Sequence, residues 1–282
     1  MSSAEPRACV IIRARNEAKR LEAVLAALAQ QDYAPGHKVL LVDTQSTDGT
    51  VEVARRFGIG ILSLELARFS FGRALNQGSA IAQGEYLVYL SADALPLRPD
   101  YLARLLEPLA DPQVAATYGR HLPRRGCGPS EARDLGEWFP AMPQGLGRPF
   151  LSNANAAVRR SVWQEHPFDE EVSGAEDILW AAEVTAAGYR IVYVPEAVVQ
   201  HSHSAWPHVA YRRSRREASG LRRADPAWQS FGLWRAMRMA GGLSWLDVRF
   251  AYRHGYGPWW WPQIVLYRLA QAWGIYQGLR TG

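Results

Sequence analysis

Apolar and polar positions fall into blocks whose period alternates between strand and helix along most of the chain. Ala8 to Ala14 (ACVIIRA) is a short apolar run that predicts a buried strand. Asn16-Glu17-Ala18 then opens a helix with Leu21, Val24, Leu25 and Leu28 at helical spacing. Lys38 to Asp43 (KVLLVD) reads as a second strand, and the polar turn Thr44 to Thr50 caps a helix over Val51 to Phe57. A third strand spans Ile59 to Leu64, and a helix runs from Arg73 to Ala82. The stretch Gly84 to Pro96 (GEYLVYLSADALP) is the pivot of the pattern: a run of β-formers that stops at one carboxylate, Asp93, ahead of a proline. A helix over Tyr101 to Leu109 leads to a strand at Val114 to Tyr118. Arg120 to Pro149, rich in Gly, Pro and Arg, reads as a long surface excursion. Leu151 to Val162 returns the chain to the core, Asp177 to Ala187 is an amphipathic helix, and Tyr189 to Val199 is a strand running into Gln200-His201-Ser202-His203.

Strands alternating with helices predict an α/β fold, doubly wound around a mainly parallel sheet with helices on both faces. Beyond Trp206 the composition shifts to Arg and Trp, and seven of the eleven tryptophans lie there. Residues 1–205 therefore read as one catalytic-sized domain and 206–282 as a helical C-terminal region, broken at Gly257-Pro258. Two roles stay open for that region: a membrane-facing surface, because Trp, Tyr and Arg favour the interface, or a cap on the domain's own core.

Composition sharpens this only in places. With 48% hydrophobic and 21% charged residues the chain is an ordinary globular protein. The net charge of +5 is unevenly spread. Arg212, Arg213, Arg215, Arg216, Arg222, Arg223, Arg235 and Arg238 cluster against only Glu217 and Asp225, which suits anionic partners. Two cysteines, Cys9 and Cys127, make no disulfide framework and point to a reducing cytoplasm. There is no signal-peptide pattern, and no run approaches the ~18 apolar residues that span a bilayer. The expectation is a cytoplasmic protein, soluble or peripheral at the inner face of the membrane.

The candidate chemistry sits at element ends. Asp43 and Asp93 close neighbouring strands and would line one crevice, where open α/β sheets bind ligands. Asp48 reads first as a helix cap, a role Ser46 can share. His201 and His203 follow a strand at a spacing that puts both imidazoles on one face. With a carboxylate and a diphosphate they suit a Mg or Mn site, and by themselves they are two loop histidines. Arg73 and Asn76 start a helix, where phosphate is attracted.

The order of these pieces resembles the family 2 glycosyltransferases of the GT-A fold over roughly Ala8 to His203. The resemblance rests on Arg15-Asn16-Glu17 after the first strand, VDTQSTDGT (Val42 to Thr50), and GRALNQG (Gly72 to Gly78). It continues in SADA (Ser91 to Ala94) in place of the Asp-x-Asp motif, Glu176-Asp177 opening a helix, and VVQHSH closing the domain. Within the family the chain is similar to bacterial rhamnosyltransferases, through Phe69 to Gly72, the SADA stretch ahead of Leu95-Pro96, and Ser152-Asn153-Ala154-Asn155.

The resemblance implies an inverting transfer of a sugar from a nucleotide-diphosphate donor to a hydroxyl of a saccharide or lipid-linked acceptor, with a divalent metal as cofactor. It implies that Arg13, Arg15, Glu17, Asp43, Ser46, Arg73, Asn76, Ser91, Ala92 and Asp93 face the donor, with Asp43 at the nucleoside and Arg73 at the diphosphate. Asp93, with His201 or His203, would take the metal; Asp177 would be the base, supported by Glu176. Two departures stand out. Ser91 replaces the first acid of the metal motif, and Arg13-Ala14-Arg15-Asn16 replaces the family's Pro-x-Tyr-Asn start.

Three other readings compete. A sugar nucleotidyltransferase needs a Gly-rich loop after the first strand, which Arg13 to Arg15 lacks. A catalytically degenerate GT-A scaffold is prompted by Ser91 and opposed by intact Asp93, Glu176 and Asp177. A nucleic-acid binder is prompted by the arginines, but no aromatic-basic strand motif or zinc pattern supports it, so no nucleic-acid partner is expected.

Overall fold

The computed structural model describes residues 7–142, 149–224 and 226–281, so Asp225 and part of the surface excursion lie outside the described residues. One eight-stranded sheet organises the chain. Its strands are β1 (Ala8–Ala14), β2 (His37–Asp43), β3 (Gly60–Ser63), β4 (Tyr86–Ser91), β5 (Leu95–Pro96), β6 (Val114–Leu122), β7 (Asn155–Arg159) and β8 (Arg190–Gln200), in the order β3-β2-β1-β4-β7-β6-β8-β5. The β1, β2, β3 and β4 pairings are parallel, as is β6 with β8; β7 runs antiparallel between β4 and β6, and β5 antiparallel to β8.

Successive residues of a strand point to opposite faces, and β1 shows the consequence. Ala8, Val10 and Ile12 pack with α1 (Ala18–Ala29), α2 (Thr50–Arg56) and α4 (Tyr101–Leu106). Cys9 and Ile11 pack on the other face with α3 (Phe71–Ile81), α6 (Arg160–Glu165) and α7 (Glu176–Ala186). Both faces of the sheet are thus covered, as the apolar runs predict. Leu21, Val24, Leu25 and Leu28 form the buried stripe of α1. On α3, Gly78 allows close approach to the sheet: a Cβ there would come within 2.8 Å of Ile11 and 2.9 Å of Val42.

The structure departs from the pattern in the excursion after β6. That strand continues to Leu122, and the segment beyond it holds α5 (Pro129–Trp138). Glu131, Arg133 and Asp134 of α5 form ion pairs with the C-terminal helices α8 (Pro207–Ala224), α9 (Leu233–Arg253) and α10 (Trp260–Thr281). Asp247 on α9 is 0% exposed and meets Arg268 Nε of α10 at 2.6 Å and Arg133 of α5. Arg268 also makes a bidentate pair with Asp134 (2.7 and 2.8 Å), the planar fork that guanidinium and carboxylate favour. Arg213 and Tyr267 converge on Glu131 at 3.2 and 3.0 Å. The C-terminal helices are therefore docked on the sheet domain through a buried polar cluster, and they carry their own apolar core around Ala218, Ala236, Ala240 and Ala272.

Candidate active site

The strand register brings the chemistry to one edge. Ala14 lies beside Asp43, and Arg13 beside Ser91, so the carboxyl ends of β2, β1 and β4 are level. The loops that follow are laced together. Asn16, in the left-handed region at φ 57, accepts the Thr47 N–H at 2.8 Å, and Ser46 Oγ accepts the Asn16 N–H at 2.9 Å. Asp48 is a double cap: it accepts from Ala18 N at the start of α1 and from Thr50 N at the start of α2, both at 3.1 Å. Asp43 is buried; its Oδ2 accepts the Ser46 N–H at 3.1 Å, while its Oδ1 has no partner. A buried acceptor without a donor is costly unless something supplies one.

Asp93 lies two residues past β4. His201 Nε2 approaches its Oδ1 at 3.4 Å and Arg124 Nη2 its Oδ2 at 2.8 Å. Burial alone would raise the Asp93 carboxyl, but the hydrogen bonds and charge of His201 and Arg124 outweigh it and hold the group well below the usual carboxylate range. Behind His201 stands a second imidazole, with His121 Nδ1 at 3.2 Å from His201 Nδ1. His121 is buried and stacked on Phe139 (centroids 3.9 Å apart), and burial followed by the neighbouring histidines drives its pKa down, so it stays neutral. Either imidazole can be the donor across this Nδ1–Nδ1 contact, and His201 turns its Nε2 to Asp93. Glu17 stands on the other side; burial and then the Asp93 charge raise its pKa.

Glu176 and Asp177 open α7 directly after Ala175, which adopts the left-handed conformation at φ 60. A non-glycine residue held there costs of order 1 kcal/mol, and such strain gathers at functional sites. Asn153, in the loop before β7, ties this pair to the sheet. Its N–H donates to Asp177 Oδ2 at 3.2 Å and its amide to Glu176 Oε1 at 3.4 Å. The next residue, Ala154, accepts the Ser91 N–H at 3.2 Å. Arg13 reaches Glu176 at 3.6 Å, while its carbonyl accepts the Ala92 N–H at 3.3 Å. The Asp93 strand end and the α7 carboxylates are thus joined in one hydrogen-bonded network. Burial, then the Glu176 charge, pushes Asp177 up to about 7. The C-terminal region enters here as well: Arg13 and Arg216 lie on the Phe71 ring at 4.8 and 4.6 Å, and Gly220 of α8 packs on Gly174.

Not every residue expected at the site faces it with a free side chain. Arg73 is paired with Glu170 at 2.8 Å. Asn76 spends its amide on the Phe168 carbonyl and Glu170, and its oxygen on Trp163 and the Phe168 N–H, which is a packing role. Arg15 is exposed, and Ala92 is buried and contributes through its backbone. His203 does not share the position of His201; it lies one ring further out, centroids 4.9 Å apart, and its N–H is held by Glu131 at 3.2 Å. Conversely, Arg124, His121 and Asn153 were not anticipated as site residues. The SNAN stretch was a visible signal for Asn153; for His121 and Arg124 the signal would have been a strand running past Tyr118.

Among the described residues no three His, Cys, Asp or Glu side chains gather as a metal cluster. Asp93 alone still fits a hard divalent ion, since Mg-type ions are held by one or two carboxylates with the substrate phosphates completing the shell. Both of its oxygens already have a protein partner, and the one on Oδ2 is the cationic Arg124.

The family described as glycosyl transferase family 2 matches residues 9–165. The chain is 30% identical to the O-antigen chain rhamnosyltransferase RfbN of Salmonella typhimurium, over 90% of this chain and 84% of that one. It is 29% identical to the O-antigen chain rhamnosyltransferase WbaN of Salmonella anatum, over 86% and 79%. Among solved structures, the mannosyltransferase PcManGT of Pyrobaculum calidifontis, in complex with GDP-Man and Mn2+, aligns with TM-score 0.64 and 25% identity, covering 95% of this chain and 86% of that one. Glucosyl-3-phosphoglycerate synthase of Mycobacterium tuberculosis shares the fold at TM-score 0.60 and 22% identity, over 79% and 80%. With its GT-A sheet and a match across more than half its length, the chain belongs to glycosyl transferase family 2.

Proposed function

We propose that the protein is an inverting glycosyltransferase of bacterial cell-surface glycan synthesis that moves rhamnose from a nucleotide-diphosphate donor to a saccharide hydroxyl. The observation that carries the reading is the hydrogen-bonded network in which the Asn153–Ala154 loop and Arg13 join the Asp93 strand end to Glu176 and Asp177. The O-antigen rhamnosyltransferase relatives support the sugar and the pathway class.

In this mechanism Asp43 Oδ1 accepts an N–H of the nucleobase, and Asp93 marks the diphosphate end. Asp93 would hold a Mg or Mn ion, which would supply Lewis-acid neutralisation of the departing diphosphate; the relative PcManGT was solved with Mn2+. The acceptor oxygen attacks C1 of the sugar, the C1–O bond to the diphosphate breaks, and the acceptor proton passes to the Asp177 carboxylate. A base poised at about 7 takes up a proton at neutral pH and returns it readily. Glu176, held by Arg13 and Asn153, keeps negative charge beside Asp177 and so maintains its basicity.

In this reading residues 206–282 cap the sheet domain and also meet the inner face of a membrane, where a lipid-linked acceptor would be presented. No described helix is long and apolar enough to cross a bilayer. On α9, exposed Trp234, Trp245 and Tyr252 alternate at helical spacing with exposed Arg235, Arg238, Arg249 and Arg253, and its one acid, Asp247, is buried. Aromatic rings beside arginines suit the headgroup layer.

The test is a panel of donors (dTDP-rhamnose, UDP-glucose, UDP-GlcNAc, UDP-galactose and GDP-mannose) with Mn2+, read as thermal shift and as sugar release. A shift and slow release confined to dTDP-rhamnose, with the released sugar inverted at C1 by NMR, is the expected result. No shift with any donor would favour the degenerate scaffold.

A further inference from the structure

The guanidinium of Arg124 occupies the position at Asp93 where a cation is expected. It follows β6, and its contacts are specific. Nη2 lies 2.8 Å from Asp93 Oδ2 and also donates to the Asp93 carbonyl, Nη1 donates to the Ser202 carbonyl at 3.1 Å, and the Arg124 N–H donates to Ser202 Oγ at 3.2 Å. The pair is largely withdrawn from solvent, with side chains 22% and 18% exposed. Because Ser91 replaces an acid, the motif holds one carboxylate, and Arg124 neutralises it. Arg124 also borders a cavity of about 510 Å³ that Arg20 and Arg125 line and no carboxylate does. A diphosphate entering there would draw the guanidinium from Asp93 to itself, since arginine pairs with phosphate as well as with carboxylate.

We propose that Arg124 is a resident counter-cation at Asp93 that competes with the divalent metal, so that metal and nucleotide diphosphate enter together. This rests on the reading of Asp93 as the metal-taking carboxylate. The thermodynamic consequence is reciprocal coupling: the nucleotide raises metal affinity, and the metal raises nucleotide affinity by the same factor.

The test is Mn2+ binding followed by electron paramagnetic resonance of the free ion, with and without dTDP, for wild type, Arg124→Gln, Arg124→Lys and Asp93→Ala. Wild type is expected to bind Mn2+ weakly alone and at least about tenfold more tightly with dTDP. Arg124→Gln gains at least about tenfold for Mn2+ alone and loses most of the coupling, whereas Arg124→Lys, which keeps the charge, stays near wild type. Asp93→Ala loses the ion in both conditions. Arg124→Gln with unchanged or weaker Mn2+ affinity, beside a dead Asp93→Ala, would overturn the role of Arg124 alone. So would wild type that holds Mn2+ equally well without dTDP, an outcome that needs no variant to fold. Mn2+ binding untouched by Asp93→Ala would instead remove the underlying assignment of Asp93, and this inference with it.

Discussion

Removing the Asp247 carboxylate is expected to loosen the whole C-terminal cap. Asp247 is fully buried and is the shared partner of two guanidiniums, Arg268 at 2.6 and 3.0 Å and Arg133. In Asp247→Ala, Arg268 at 1% exposure keeps Asp134, but Arg133 keeps only Asp134 and the exposed rim residue Glu137. Two buried cations then share one half-buried carboxylate, Asp134. Breaking a buried pair by deleting one partner costs about 3–5 kcal/mol. For a chain of this size each kcal/mol moves the melting temperature by roughly 2–4 °C, so a fall of about 10 °C is expected. The assay is thermal unfolding followed by circular dichroism, with near-ultraviolet signal reporting the tryptophans of α9 and α10. The double variant Asp247→Leu with Arg268→Met removes the charge imbalance along with the pair and is expected to recover at least half the loss. A single variant within about 1 kcal/mol of wild type would refute the view that this cluster docks the cap.

The remaining expectations concern the site. Asp177→Asn should fold normally and lose about 10²–10⁴ in kcat, because only the base is removed. In wild type, kcat/KM should rise with pH through about 7 and level off above it, since Asp177 must be deprotonated to accept the proton; a flat profile from pH 5 to 8 would contradict the assignment. Gly220→Ala places a Cβ 2.3 Å from the Gly174 carbonyl and 2.9 Å from Ala175, so it should push α8 from the start of α7 and lower kcat more than melting temperature. Wild type should co-sediment with vesicles containing phosphatidylglycerol and not with pure phosphatidylcholine, and a Trp234→Ser, Trp245→Ser variant should lose most of that binding. A stable dimer in solution that buries these tryptophans would reassign the face to self-association.

How much of this was legible in the chain depends on the range of the forces involved. Strands such as β1 and β4 were readable because burial on both faces leaves an unbroken apolar run, and α1 because its leucines fall on one stripe. Asp48 as a cap of α2 was readable because that bond is local, whereas its bond to Ala18 N, thirty residues back, was not. α5 was not: Glu131, Arg133 and Asp134 look like a solvated face, and their partners Arg213, Asp247 and Arg268 lie far along the chain. The same reason hid the packing role of Asn76, whose partners Trp163, Phe168 and Glu170 come from α6 and the loop that follows it. His121 and Arg124 were missed because β6 continues past Tyr118 beside β8, a pairing set by register with a distant strand. Sequence motifs located the carboxylates; the groups that tune them came from long-range contacts.

The most direct test of the account is calorimetric binding of dTDP-rhamnose with and without Mn2+, to wild type and to Asp93→Ala. The account predicts binding to wild type that strengthens with Mn2+, and binding to Asp93→Ala that is weaker and indifferent to the ion. Equal affinity in all four conditions, or no affinity for the donor at all, would contradict it.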